Sequence, residues 1–223
     1  MFGGLFNLER PFWRWMNRIP QIVVLSLCFY ICCIPVVTII PAACALFDAI
    51  SRCTVPDAPG CYSRFWRTFR NELKQGILLT IFWIVIALIA IYGDQVLSFN
   101  AKSNSTFAML SLVYRILLLS LVAYLGWLIP LESRYYHSFT KLHLNALSFY
   151  FARLPGTLFM LFMTASVLIF SIAHPLTYFL LAFAPGLIAL LHSFPVEKAF
   201  RKAFPENYDA NGELNTPNEE ESD

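Results

Sequence analysis

The sequence predicts an all-α, polytopic membrane helical bundle of about five transmembrane helices with interfacial amphipathic helices beside them. Three observations carry that expectation. Of 223 residues, 58% are hydrophobic and 13% charged, where soluble chains run near about 45–50% and about 25%. Long windows contain no Asp, Glu, Lys, Arg or His and are rich in the chain's 21 Phe, 10 Tyr and 5 Trp. Between those windows, aromatic and basic residues alternate with helical periodicity. A soluble fold of this size would leave too much apolar surface in water, so the expected solvent for most of the chain is lipid.

Residues 1–18 read as an N-terminal amphipathic segment, with Phe12, Trp13, Met16 and Ile19 against Arg10, Arg14, Asn17 and Arg18. Residues 19–204 form the transmembrane domain. Its first segment, Ile19–Phe47, holds 29 residues without a formal charge, about 43 Å as a helix against a hydrocarbon core of about 30 Å. One crossing with tilt or a kink fits; Pro35 and Pro41 each remove a backbone donor and supply the cause. A re-entrant excursion around Pro35–Pro41 is the alternative, where protein shields the backbone.

The second segment is 75–93, ending at an interfacial Tyr92 beside Asp94. The third is 112–131, with Arg115 near its outer boundary. The fourth and fifth, 154–173 and 175–191, are separated by His174-Pro175 and should form a tight helical hairpin. Within Arg64–Lys74, Phe65, Trp66, Phe69 and Leu73 share one helical face and Arg64, Arg67, Arg70, Asn71 and Lys74 the other, the pattern of a helix lying in the membrane interface. Val196, Ala199, Phe200, Ala203 and Phe204 repeat it. Small residues at 42, 43, 45, 186 and 189 should let segments one and five approach closely.

The formal charge of +2 conceals an asymmetry: residues 1–204 carry all 16 Lys and Arg against 7 acids, and residues 205–223 carry the other 7 acids alone. So acidic a tail, with hardly any aliphatic residues, is expected to be disordered. Counting Lys and Arg in the connecting segments places the 48–74 and 132–153 loops and the C-terminus in the cytoplasm. Five simple crossings would put Arg10, Arg14 and Arg18 outside, against the same rule, so the side of the N-terminus stays open. Cys53 and Cys61 should then be reduced thiols.

Several chemistries are excluded by motif. The four histidines lack metal-ligand spacing, and there is no HExxH, G-x-S-x-G or phosphate-binding loop. The expectation is therefore a non-enzymatic protein without cofactor or metal, and without nucleic-acid partners, since no basic excess is present. The cytoplasmic aromatic-basic face, Phe65, Trp66, Arg67, Phe69 and Arg70, is the candidate docking surface, because aromatic and guanidinium groups dominate interface hot spots. Its partners would be transporter subunits, or a second copy of the chain. Pro35, Thr38, Pro41 and Arg115 are the candidate kink or polar path of the competing reading, a self-sufficient small transporter or channel. Arg115 either snorkels to the outer boundary or pairs with Asp94.

Three stretches carry a family resemblance: Phe12-Trp13-Arg14-Trp15-Met16-Asn17-Arg18, Pro35-Val36-Val37-Thr38-Ile39, and Phe65-Trp66-Arg67-Thr68-Phe69-Arg70 with Lys74-Gln75. Together they make the chain resemble the YesL-like family of bacterial multi-pass membrane proteins over roughly residues 5–204, the later spans by hydropathy alone. Ile40 stands where family members usually have glycine. The resemblance implies a bacterial plasma-membrane location and an accessory part in carbohydrate transport. It implies no catalytic or ligand residues.

Overall fold

The structure is a computed structural model that describes residues 11–54, 59–101, 105–135, 139–173 and 182–205. Among these the regular elements are all helical: α1 (Pro11–Cys32), α2 (Ile39–Ala49), α3 (Cys61–Ala101), α4 (Ser105–Glu132), α5 (Phe139–Ala152), α6 (Leu154–Ala173) and α7 (Ala184–Ala203). The described residues form the expected all-α membrane bundle, with two or three candidate crossings among them where five were expected. Two described helices, α3 and α4, are each long and apolar enough to cross a membrane, and α5 with α6 is a further candidate, bent by 93°. Pro155 follows Leu154 directly at that bend, where a proline ring disfavours helical backbone in the residue before it. The acidic tail from 206 onward, residues 1–10 and the His174-Pro175 turn lie outside the described residues.

The single kinked crossing expected over Ile19–Phe47 is instead a helix, a break and a second helix. Helix α1 stops at Cys32, a 3-10 turn follows at Val36–Thr38, and α2 begins at Ile39. Pro35 has no N–H to continue the ladder, and the carbonyls it frees are taken up locally. The Thr38 hydroxyl lies 2.5 Å from Cys32 O and 2.6 Å from Pro35 O, and Thr38 N donates to Pro35 O at 2.9 Å. Pro41, expected to kink, falls in the first turn of α2, where its missing N–H would have had no intrahelical acceptor.

Contacts with α3 give the direction of this hairpin. At its apex Ile40 N donates to Thr80 Oγ1 at 3.3 Å, and Gly76 packs on Pro41, whose Cγ lies 2.6 Å from where a Cβ would stand. At its ends, the Cys61 thiol reaches Gln21 Oε1 at 3.8 Å and Arg64 Nε reaches Asp48 Oδ2 at 2.9 Å. Both ends therefore meet the first turns of α3, and the apex reaches a point some five turns further along. Both ends of the segment thus lie beside the same end of α3.

Helix α3 runs unbroken for 41 residues, about 60 Å at 1.5 Å per residue. The amphipathic stretch at Arg64–Lys74 thus continues straight into segment two; no turn separates an interfacial helix from a crossing one. Helix α4 packs back on α3, with Tyr114 donating to Ala90 O at 3.1 Å. It holds α6 through Trp127 Nε1, which donates to Thr157 Oγ1 at 2.8 Å in the core. Helix α7 closes the bundle against α1, where Gly186 N donates to Ser26 Oγ at 3.1 Å. A Cβ at Gly186 would stand 2.7 Å from Ile22 Cγ2, so this approach requires glycine. The core runs through Leu25, Ala45, Phe47, Leu79, Trp127 and Phe200, all nearly inaccessible.

Two outcomes follow from the hairpin. With native cysteines replaced, cysteines at Ile19 and Ser63 should react with a membrane-impermeant maleimide from the same face of oriented vesicles, and one at Phe99 from the opposite face. Gly76→Val should destabilise the folded protein by about 1–3 kcal/mol through forced overlap with the rigid Pro41 ring, read as a lower melting temperature in detergent.

Candidate functional site

The base of the hairpin is an ion cluster built from four elements. Asp48, at the end of α2 and 3% exposed, pairs with Arg52 one turn on, Nε to Oδ1 at 2.9 Å. It also accepts from Arg64 Nε and from Thr68 Oγ1 on α3, both at 2.9 Å to Oδ2. On the neighbouring faces, Arg134 beyond α4 pairs with Glu197 of α7, and its guanidinium lies 5.7 Å from the centre of the Phe47 ring and 5.5 Å from that of Phe200. Gln75 Nε2 donates to Glu132 Oε2 at 3.2 Å. Charges withdrawn from water in this way persist only when paired or neutralised.

Glu72 and Glu132 lie just beyond the apolar stretches 75–93 and 112–131. Burial pushes the Glu72 carboxyl up to about 7, with Asp48 adding to the effect. Burial also pushes Glu132 up to about 7; the charge of Glu72 raises it further and the Gln75 hydrogen bond opposes the shift. Near neutrality this pair holds protons that ordinary carboxylates would have lost.

The aromatic-basic stretch is divided by the fold. Phe65 is fully buried and stacks on half-buried Phe69 at 6.3 Å. This corrects the expected docking list: α2 covers the inner edge of the stripe, as the Asp48–Thr68 bond requires. Trp66 is 44% exposed, and Arg67 and Arg70 are exposed beside it. These three, with Ser63 and Asn71, line a shallow depression. The stripe on α7 behaves alike, since Val196, Ala199 and Phe200 are core residues. Periodicity showed which residues share a face, but protein rather than lipid covers much of it.

The candidate path residues do not converge. Pro35, Thr38 and Pro41 gather at the hairpin apex near Gly76 and Thr80. Arg115 pairs with Asp94 at 3.1 Å and donates to Ser98 Oγ at 3.0 Å, with its side chain 61% exposed. Asp94 is 14 residues beyond Thr80 on α3, about 21 Å along the helix. Cys61 is a buried thiol within reach of Gln21; the side chain of Cys53 lies outside the described residues. No group of three or more His, Cys, Asp and Glu among the described residues could hold a metal.

Residues 22–93 match a family model described as "Protein of unknown function, DUF624". That stretch covers the second half of α1, the break, α2 and α3 as far as Gly93, so it contains the apex contacts and Asp48 with Arg52, Arg64 and Thr68. No curated protein matches the chain, and no solved structure does.

The shifted carboxyls give the cluster a pH dependence. A carboxyl raised from 4.5 to about 7 in the folded state favours folding most at acid pH, and that contribution is lost as pH rises from about 4.5 through 7. Glu132→Gln keeps an acceptor for Gln75 and removes the charge. It should raise the melting temperature of detergent-solubilised protein at pH 8 and leave it nearly unchanged at pH 5.

Proposed function

We propose that this integral membrane protein is a non-enzymatic accessory component of a bacterial solute transport system, docking a soluble or membrane partner through Trp66, Arg67 and Arg70. The observation that carries the reading is the pairing of exposure with position. Helix α3 is about twice as long as a bilayer core is thick, and these three residues sit in its first three turns, outside the apolar stretch. An exposed tryptophan flanked by guanidinium groups is the composition that interface hot spots favour. The ion cluster beneath holds the face in place through Arg64 and Thr68.

The resemblance to the YesL-like family supports carbohydrate as the solute and the plasma membrane as the location. The hairpin supports a cytoplasmic position for the basic flank that precedes it: it brings Arg18 to the side of Arg52, Arg64, Arg67 and Arg70, so the basic flanks cease to conflict. The partner is a transporter subunit rather than a second copy of this chain on the present reading, since like-charged faces repel.

The test is co-purification from the native membrane. The triple variant Trp66→Ala, Arg67→Ala, Arg70→Ala should remain folded, lose the transporter subunits recovered with the unmodified protein, and lower solute uptake in cells several-fold. Unaided movement of a sugar or ion by the purified protein in liposomes would overturn the accessory reading. Full uptake by the triple variant would overturn the docking face.

A further inference from the structure

A cavity of about 360 Å³ lies where α1, α2, α4, α6 and α7 meet, within the about 300–1,000 Å³ of small-molecule sites. Its walls are largely aliphatic and aromatic, with Phe29, Phe47, Leu125 and Ile188 among them. Tyr30 and Val122 line it too and are 39% and 52% exposed on the outer surface of the bundle. Val122 stands within the apolar stretch 112–131, so the cavity communicates with the lipid phase.

His192 lines this space beside Thr164, and its hydrogen bonds fix its tautomer. Nε2 lies 3.2 Å from Met160 O, which can only accept, so Nε2 carries the proton. It lies 2.9 Å from Thr164 Oγ1, whose own proton goes to Met160 O at 2.9 Å, leaving an oxygen lone pair for the imidazole. In a neutral ring Nδ1 is then a bare acceptor. It has no hydrogen-bond partner among the described residues. Gly126 lines the cavity on the side of Nδ1: a Cβ there would stand 3.9 Å from Nδ1 and 3.0 Å from Met160 Cε.

We infer that the cavity binds a single-chain lipid with one free hydroxyl, the chain lying along the apolar walls and the hydroxyl donating to His192 Nδ1. Each alternative occupant fails on chemistry. Water needs two to four polar partners, and these walls are overwhelmingly apolar. A carboxylate would set its charge against the Nδ1 lone pair, and an ammonium would be desolvated without a counter-charge. A plain alkane would leave the acceptor unmatched. The inference is independent of the docking face on α3.

The test is photolabelling of the full-length protein in nanodiscs with a diazirine-bearing long-chain alcohol. Labelling should map to lining peptides of α4 and α7, and 1-dodecanol should compete about five- to ten-fold better than dodecane, the worth of one net hydrogen bond. His192→Phe should abolish that preference while retaining labelling. Ile188→Trp, which fills the cavity from its apolar wall and leaves His192 in place, should abolish labelling in protein that still elutes as a single folded species. Equal competition by alcohol and alkane, preserved preference in His192→Phe, or undiminished labelling in folded Ile188→Trp would each overturn the assignment.

Discussion

A backbone that breaks inside an apolar layer must find partners for the groups it frees, and in this chain Thr38 and Thr80 provide them. Thr38 covers the carbonyls left at Cys32 and Pro35. Thr80 accepts from Ile40 N, which has no carbonyl of its own helix to use, and donates in turn to Gly76 O at 2.7 Å. Without these bonds a proline-broken segment would have to straighten or leave the membrane. With them, α2 can fold back against α3, and the placement of Asp48, of the buried stripe on α3 and of the cavity beside α7 all derive from that return.

The polar base of the hairpin solves a second problem. Asp48 is almost inaccessible, and an isolated carboxylate there would be costly; two guanidinium groups and a hydroxyl converge on it. Such a cluster is better understood as fixing register than as adding stability, since buried ion pairs often only offset their own desolvation. Asp48 fixes where α2 ends along α3, and Arg134 with Glu197 does the same between α4 and α7. Trp66, Arg67 and Arg70, the proposed docking residues, are borne by the rigid element that results.

Much of this architecture was legible in the sequence, and what was not has identifiable causes. Composition and uncharged windows identified an all-α membrane bundle, and α3 and α4 contain the apolar stretches 75–93 and 112–131 within longer helices. Pro35 and Pro41 marked the break in segment one without telling a kink from a reversal, because proline removes a bond and does not choose the next direction. The signal that could have decided it was Arg10, Arg14 and Arg18, whose charges fitted poorly with a simple crossing. Amphipathic periodicity located Phe65, Trp66 and Phe69 on one helix but could not say which would be covered, a property of α2's return. Asp48 with Arg64, Arg134 with Glu197, and His192 with Thr164 join residues 16, 63 and 28 positions apart. Nothing local encodes such pairs.

The apex contacts also constrain the order in which the chain can be assembled. Segment one leaves the ribosome first, yet the hydroxyl that completes its turn belongs to Thr80, and the surface that receives Pro41 belongs to Gly76. Until those later residues have emerged, the opening hairpin has no finished resting place at depth. Final seating of this segment thus depends on a helix synthesised after it.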